Sequence, residues 1–332
     1  MNKVKIIAEA GVNHNGSLKK ALRLVKEAKK SNADYVKFQI FKAENVVTKK
    51  AGKSNYQKRH PRDKETQYQM IKNFELPYDN FRIIKKECSK HKIKFLCSPF
   101  DTDSLKFLKK LREKIIKIPS GEITNYPLIR DIGKMNIKVI MSTGMSNFKE
   151  IKNSIKILTR NGTKKKNITL LHCNTAYPTP PADVNLSALQ KIKKIFGVEV
   201  GYSDHTLGLE IPVAAICFGA KIIEKHITLN KNLPGPDHKS SLNPAEFATM
   251  VNSIRNTEKA LSIFKKSIRP SEKPNLKVVR KSIVAKKKIL KGEFFNESNL
   301  TTKRPGIGTN PMMWKKIIGK KAKKNYLKDE FI

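Results

Sequence analysis

The sequence has few aromatic residues, few arginines among its basic residues and few cysteines, and these shortages limit the partners and the cysteine chemistry that can be expected. Aromatic residues make up 7% of the 332 residues, and only 11 of the 69 basic residues are arginine. Nucleic-acid surfaces favour clustered arginine with interleaved aromatics, so no specific nucleic-acid partner is predicted. The four cysteines, Cys88, Cys97, Cys173 and Cys217, are widely spaced and form no CxxC pair. They are predicted to be reduced, buried thiols.

Long apolar runs are also missing. No stretch approaches the ~18 apolar residues that a membrane span requires, so no membrane partner is predicted. The first ten residues show no signal-peptide pattern, and we therefore expect a cytoplasmic protein. Hydrophobic residues still reach 39% of the chain, which is enough for a packed core.

The net charge of +41 is the most unusual property of the composition. The lysines that produce this charge are distributed along the whole chain, which indicates a solvated basic surface and not a concentrated binding patch. Weak, non-specific binding of polyanions is the alternative interpretation. The same charge would attract an anionic substrate such as a phosphate ester.

Short apolar runs alternate with longer helical stretches eight times, which predicts an α/β fold built as a (β/α)8 TIM barrel. A clear helical pattern covers 17–31, and Asn243, Pro244 and Glu246 give the start signal of the last barrel helix. The predicted strands are 4–8, 35–38, 93–96, 115–118, 138–141, 168–171, 198–201 and 221–224.

The chain divides into a barrel over 1–264, a linker over 265–277 and a small domain over 278–332. Pro270 and Pro274, set among charged residues, indicate the linker. The last ~55 residues are too few to bury a large core of their own, so this domain should dock on the barrel or on a partner subunit. A long polar connection, 41–79, is predicted to fold over the mouth of the barrel.

Polar side chains follow or end each predicted strand, at the end where barrel enzymes carry their active sites. Lys37 and Lys117 lie in otherwise apolar strands, where an ammonium needs an anion. A phosphate held with serine hydroxyls would supply one, and a barrel carboxylate such as Glu9 or Glu122 is the alternative. The serines in these positions are Ser98, Ser120, Ser142 and Ser203.

His205 and His226 follow neighbouring strands and could share one divalent metal, although structural histidines at such positions are equally common. His14 and His172 favour a structural role as hydrogen-bonded histidines. The expected carboxylate for acid–base work or charge stabilisation is Glu122, unless a lysine pairs with it. Asp204 is expected to orient the adjacent imidazole of His205.

Eight motifs follow one another along the predicted barrel: Glu9-Ala-Gly-Val-Asn-His-Asn-Gly16, Lys37-Phe-Gln39, Lys117-Ile-Pro-Ser-Gly-Glu122, Ser142-Thr-Gly-Met145, Leu171-His-Cys-Asn-Thr-Ala-Tyr-Pro178, Gly201-Tyr-Ser-Asp-His205, Glu224-Lys-His226 and Gly235-Pro-Asp-His238. Together they closely resemble the sialic acid synthase family, which includes legionaminate and pseudaminate synthases. At the C-terminal end, the pattern of 285–293 and Lys303-Arg-Pro-Gly306 resemble that family's antifreeze-like (SAF, β-clip) domain. The resemblance covers essentially the whole chain.

The resemblance implies a role for each matching residue. It implies Mn²⁺, with Mg²⁺ or Co²⁺ as alternatives, on His205 and His226. It also implies a domain-swapped homodimer in which Arg304 of one chain reaches the N-acyl group of a sugar in the other. Phosphoenolpyruvate would be held by Lys37, Ser98, Lys117, Ser120, Ser142 and Ser203. Sugar contacts would fall on Glu9, Gln39, Tyr177 and Asp237, and on Asn174 or Thr175.

The implied reaction condenses phosphoenolpyruvate, N-acetylmannosamine and water and releases phosphate by C–O cleavage, with Glu122 stabilising positive charge on the enol carbon. The nearest alternative acceptor is a 2,4-diacetamido-trideoxy hexose, and a more distant one is a phosphorylated sugar. A basic polyanion-binding protein is the alternative from another class. Two positions depart from the family pattern: Ser98 stands where some members have threonine, and 173–176 differs from members reading Thr-Thr-Asn-Leu.

Overall fold

The protein forms two compact units in a computed structural model, which describes residues 3–54, 57, 65–262 and 265–332. The first unit is Met1–Ser262 and the second is Ile263–Ile332. The predicted linker, 265–277, falls within the second unit, where it includes a 3₁₀ turn at Pro270–Glu272 and the first residues of a helix at Lys273–Val279. Among the described residues, no helix combines the length and the apolar character needed to cross a membrane.

Eight parallel strands close the TIM barrel of the first unit. Hydrogen-bonded pairing runs in the order β3-β2-β1-β8-β7-β6-β5-β4, and the two end strands lie against each other. All eight predicted strands are confirmed, and all except β4 extend further toward their carboxyl ends than predicted. The strands are β1 Lys5–Gly11, β2 Tyr35–Ile40, β3 Lys94–Pro99, β4 Ile115–Ile118, β5 Lys138–Ser142, β6 Ile168–His172, β7 Glu199–Asp204 and β8 Ile222–His226.

The barrel is surrounded by helices that bury one apolar face each. The predicted first and last helices are both confirmed, with Ser17 as N-cap of the first and a capping box between Asn243 and Glu246 at the start of the last. The helices of this unit are α1 Leu18–Lys30, α2 Ala43–Val46, α3 Gln67–Lys72, α4 Tyr78–Lys90, α5 Thr102–Lys110, α6 Tyr126–Lys134, α7 Phe148–Arg160, α8 Ala188–Phe196, α9 Glu210–Cys217 and α10 Pro244–Ala260.

The inside of the barrel is layered because successive strand residues point to opposite faces. One apolar layer packs at its centre and consists of Ile7, Tyr35, Leu96, Ile140, Leu171 and Ile222. Two residues further along several of these strands, the same inner face carries polar side chains. The candidate site therefore follows directly from strand alternation.

The connection between β2 and α4 contributes to the mouth of the barrel, as predicted. Its described part contains α2 and α3, whose residues form a small apolar cluster with the loop after β1. The cluster consists of Val12, Phe41, Met70 and Phe74, with Val46, Ile71 and Phe100 packed against it. We call the described residues of 41–79 the cover segment.

The second unit has a small core of its own. Its antiparallel pair is β9, Ser282–Ala285, and β10, Leu300–Lys303, and its helices are α11 Lys273–Val279 and α12 Trp314–Ile317. The core residues are Ile283, Ala285, Ile289, Phe295, Leu300, Ala322 and Tyr326.

Candidate active site

A cavity of about 480 Å³ opens at the carboxyl ends of the barrel strands. The cover segment forms part of its lining, with apolar residues such as Val46, Met70 and Phe74 together with the polar Ser54, Gln57 and Gln67. The structure brings together in this cavity twelve of the residues predicted from the sequence: Glu9, Lys37, Gln39, Lys117, Ser120, Ser142, Thr175, Tyr177, Ser203, His205, His226 and Asp237.

Two lysines share one carboxylate at the floor of the cavity. Lys37 Nζ lies 2.8 Å from Glu224 Oε1 and 3.5 Å from Glu9 Oε2, and Lys117 Nζ lies 3.2 Å from the same oxygen of Glu224. Ser203 donates a hydrogen bond of 2.9 Å to that oxygen as well. The four charged side chains are all buried. Ion pairs of this kind are strongly interdependent, because removing one member leaves a buried charge without compensation.

The two ammonium groups around the shared carboxylate have opposite pKa shifts. Burial disfavours the charged form of Lys37, but the carboxylates of Glu224 and Glu9 outweigh it and raise its pKa. Burial lowers the pKa of Lys117 to about 8. The carboxylate of Glu224 offsets the effect of burial only in part, and the positive charge of Lys37 lowers the pKa further. At neutral pH the floor therefore carries one firmly charged ammonium and one that loses its proton under mildly basic conditions.

Several buried polar atoms around this cluster have no hydrogen-bond partner. The hydroxyls of Ser98 and Ser142 and Oε2 of Glu224 are among them. Buried polar groups in proteins are nearly always hydrogen-bonded, so unpaired hydroxyls beside two lysines indicate a place for a polar ligand. Hydroxyl donors and ammonium groups are the chemistry that binds carboxylate and phosphate oxygens.

His205 and His226 face each other at the edge of the cavity, with ring centroids 5.4 Å apart. The Asn174 carbonyl oxygen lies 2.5 Å from His205 Nδ1 and can only accept, so this nitrogen carries the proton. Nε2 of His205 is then the acceptor, and Tyr177 donates to it at 2.9 Å. Nδ1 of His226 has no hydrogen-bond partner.

Both imidazoles are suited to binding a metal ion. Burial lowers the pKa of His205 to about 4 and that of His226 well below its usual value, so both rings are neutral at neutral pH. Among the described residues, no three His, Cys, Asp or Glu side chains are grouped so that they could hold an ion by themselves. A metal bound here would rely on the two histidines and take its remaining ligands from water and substrate.

Four predicted site residues do not line the cavity. Glu122 is half-buried and accepts a 2.6 Å hydrogen bond from Asn125, and burial raises its pKa. Ser98 lies at the end of β3, buried and paired in register with Gln39. Arg304 belongs to the second unit, where it donates to the Val279 carbonyl.

Asn174 is the fourth, and its surroundings bear on the choice between Asn174 and Thr175 as the ligand contact. Its side chain accepts from the Ala176 amide at 2.7 Å and donates to the Asp183 carbonyl at 3.4 Å. It stabilises its own loop, while Thr175 lines the cavity.

The prediction that Asp204 orients His205 is wrong. Asp204 lies on the opposite face of β7, where it accepts from the buried Lys225 ammonium and from the Thr206 hydroxyl. The Asn174 carbonyl holds the His205 ring instead. Adjacent strand residues point to opposite faces, so Asp204 could not share the inner face with its neighbour.

The two histidines expected to be structural fit that interpretation to different degrees. His172 Nε2 contacts the Val184 carbonyl at 2.8 Å, so its ring is hydrogen-bonded as predicted. Nδ1 of His14 accepts from the Gly16 amide at 3.1 Å, but its Nε2 has no partner.

The sequence interpretation missed Glu224, the carboxylate that both lysines share. The alternative to a phosphate was a barrel carboxylate such as Glu9 or Glu122, and of these two Glu9 contacts a lysine, at the longer distance of 3.5 Å from Lys37. The signal was available in the alternation of β8, because Ile222, Glu224 and His226 occupy the same inner face.

Comparison with known sequences gives matches over nearly the full chain. Residues 24–266 match the NeuB family, and residues 280–332 match the SAF domain. The N,N'-diacetyllegionaminic acid synthase of Campylobacter jejuni is 50% identical over 100% of this chain and 99% of its own length. The enzyme of the same name from Legionella pneumophila is 41% identical over 96% of this chain and 90% of its own.

A solved structure gives a matching result. The N-acetylneuraminic acid (sialic acid) synthetase of Leptospira borgpetersenii, solved with citrate, is 35% identical and superposes with a TM-score of 0.72. The match covers 83% of this chain and 90% of that protein.

Proposed function

Because this chain belongs to the NeuB family, we propose that it is a nonulosonate synthase that condenses phosphoenolpyruvate with an N-acylated amino sugar. The resemblance to sialic acid synthases noted in the sequence is thereby confirmed. The product is a nine-carbon acid sugar, and phosphate is released.

One feature of the site supports this function most strongly: two buried lysines lie in a cavity that is also lined by Ser142, whose buried hydroxyl has no hydrogen-bond partner. Phosphoenolpyruvate presents a carboxylate and a phosphate, which match ammonium and hydroxyl donors. The floor already balances Lys37 and Lys117 against Glu224, so the ligand would join a charged cluster held in place before binding.

The cavity allows a reaction in which every atom is accounted for. A bond forms between the methylene carbon of phosphoenolpyruvate and the aldehyde carbon of the open-chain sugar, whose oxygen takes up a proton. Water adds to the enol carbon and supplies that proton. The bond from the enol carbon to the phosphate oxygen then breaks, the ketone forms, and the second water proton leaves with the phosphate. The stabilisation of positive charge by Glu122 remains a prediction.

His205 and His226 would hold the divalent metal, Mn²⁺ in our proposal. When bound, the ion would polarise the aldehyde oxygen as a Lewis acid. The protein's own contribution is to keep both imidazoles neutral by burial and to fix His205 through the Asn174 carbonyl.

The acceptor is an N-acylated amino hexose, and two candidates follow from the relatives. N-acetylmannosamine is the acceptor implied by the motifs, and the Leptospira structure supports it. The higher identity to two diacetyllegionaminic acid synthases favours a 2,4-diacetamido-trideoxy hexose. The apolar wall of Val46, Met70 and Phe74 also suits a sugar that has a methyl group in place of a hydroxyl.

The functional unit in this proposal is a homodimer with Arg304 contributed by the partner chain, and its location is cytoplasmic. The dimer and the role of Arg304 rest on the family resemblance.

The proposal is tested by phosphate release from phosphoenolpyruvate with Mn²⁺, offering each acceptor separately. We expect release that depends on acceptor and metal, with a higher kcat/KM for the diacetamido sugar. Absence of acceptor-dependent release with either sugar would contradict the proposed function. A higher kcat/KM for N-acetylmannosamine would instead assign that acceptor.

A further inference from the structure

The loop after β8, residues 228–242, is closed at its base by backbone hydrogen bonds. The Thr228 amide donates to the Leu242 carbonyl at 2.9 Å, and the Leu242 amide donates to the His226 carbonyl at 3.0 Å. Within this loop Asp237 lines the cavity, whereas the next residue, His238, is 0% exposed and does not line it. We call this segment the Asp237 loop.

His238 joins the Asp237 loop to the turn after β1. Asn15 Nδ2 donates to the Pro234 carbonyl at 2.7 Å, and this contact fixes the amide so that Oδ1 is the free acceptor. His238 Nε2 lies 3.0 Å from that Oδ1 and therefore donates to it. Nδ1 is then the acceptor for the Thr228 hydroxyl at 2.7 Å. Burial lowers the pKa of His238 to about 4, which agrees with this neutral form.

Gly235 shows how closely these residues pack. Its φ is +151°, and a Cβ added there would lie 2.7 Å from His238 Cδ2 and 3.2 Å from Asn15 Oδ1. Any side chain at this position would therefore separate the histidine from its acceptor.

A second asparagine holds the other side of the Asp237 loop. Asn13 Nδ2 donates to the Ser241 hydroxyl at 2.9 Å, and that hydroxyl donates to the Asp237 carbonyl at 2.6 Å. The same Nδ2 also donates to the Ile227 carbonyl at 2.9 Å. The backbone of Asp237 is thus fixed from the turn after β1 on both flanks.

We propose that the hydrogen bond between Asn15 and His238 is a positioning contact that sets the place of Asp237 against the acceptor sugar. The inference rests on the proposed function, in which Asp237 contacts that sugar. His238 contacts neither substrate, so its effect is carried by the loop. Small displacements of a binding group are costly, because its hydrogen bonds require a fixed geometry.

The test compares steady-state constants for the two substrates in the purified full-length chain with Mn²⁺. His238→Leu removes both ring hydrogen bonds, and we expect the sugar KM to rise about 10- to 100-fold while the phosphoenolpyruvate KM stays within about twofold. Gly235→Ala should produce the same split by separating the two residues. His238→Gln can donate to Asn15 and accept from Thr228, so it should restore most of the sugar affinity.

A matched control removes a buried hydrogen bond far from the loop. Thr163 is buried and donates to the Gly133 carbonyl at 3.3 Å, between the ends of α6 and α7. Thr163→Val should leave both KM values unchanged even if the unfolding temperature falls.

The pair is tested further by a double-mutant cycle. If the contact acts as a unit, Asn15→Ala combined with His238→Leu should raise the sugar KM by clearly less than the product of the two single effects, because the shared hydrogen bond is lost only once. Additive effects, or equal rises in both KM values, would overturn the positioning role. A wild-type enzyme that releases no phosphate with either sugar would instead overturn the proposed function, so the two failures are distinguishable.

Discussion

At the scale of single residues, the floor of the cavity depends on Glu224. Its Oε1 lies within 3.2 Å of both lysine ammonium groups and accepts from Ser203. No other described carboxylate contacts both lysines, so its removal leaves two neighbouring buried positive charges with little compensation.

Glu224→Gln should therefore lower the free energy of unfolding by about 3–5 kcal/mol and reduce kcat/KM for phosphoenolpyruvate. Urea denaturation and initial rates measure the two effects. Asp103→Asn is the matched control, because Asp103 pairs with Lys106 at 2.9 Å on the exposed surface and should give no measurable change. Equal losses of stability in both variants would contradict the importance of the buried cluster.

Lys117 should make phosphoenolpyruvate binding dependent on pH. Burial holds its pKa at about 8, so the ammonium is charged below that pH and neutral above it. The value of kcat/KM for phosphoenolpyruvate should then fall as the pH rises through about 8, with metal occupancy measured at each pH.

Lys37 keeps its charge in this range, because Glu224 and Glu9 outweigh its burial and raise its pKa. Lys117→Arg keeps a permanent charge at the other position, so any activity it retains should lack this decline. A wild-type profile that stays flat beyond pH 9 would refute the assignment.

The residue scale also shows where sequence reasoning reaches its limit. Lys37 and Lys117 could be recognised because charge in an apolar strand is costly. Glu224 was overlooked as the carboxylate that both lysines share. Asp204 was predicted to orient the His205 ring, but the backbone carbonyl of Asn174 does so. Which atom holds His205 depends on how the loop after β6 folds back, and strand periodicity carries no information about that.

At the scale of elements, the part of the cover segment around Phe74 packs through an apolar cluster separate from the main core, whereas Leu76 and Tyr78 at its end join that core. Phe74 joins Phe41, Met70 and Val12 in this cluster and also lines the cavity. Local clusters of this size can open without global unfolding.

Phe74→Ala should raise the KM of both substrates and speed tryptic cleavage within the cover segment, with little change in the main unfolding transition. Phe247→Ala, in the main core, is the matched control and should instead cost about 3–5 kcal/mol of global stability. If Phe74→Ala left cleavage unchanged and lowered global stability as much as the control does, the segment would be part of the main core.

Elements were predicted more completely than contacts. Eight strands and the first and last helices of the barrel follow from periodicity and capping residues, and all are present. Strand ends were set too early in seven of the eight strands, because the final residues, such as Ser98 and Ser142, are polar. Polar residues end the apolar run that is visible in the sequence. In the barrel, however, the hydrogen-bonded pairing of the strands continues through these polar residues to the active site.

At the scale of the whole molecule, the proposed exchange of Arg304 between chains can be tested by mixing two inactive variants. Arg304→Ala keeps an intact barrel, and His226→Ala loses a proposed metal ligand but keeps Arg304. If each site takes Arg304 from its partner, refolding an equal mixture should restore about a quarter of the wild-type activity. Activity that stays at the level of the separate variants would show that Arg304 acts within its own chain or not at all.

The central claim is that this protein joins phosphoenolpyruvate to an N-acylated amino sugar with loss of phosphate through C–O cleavage. Mass spectrometry of the products made from phosphoenolpyruvate with a heavy-oxygen label at the bridging position tests it most directly. The account predicts a nine-carbon acid sugar without the label and an equal amount of phosphate that carries it. Label retained in the organic product, or phosphate formed without any sugar product, would contradict the account.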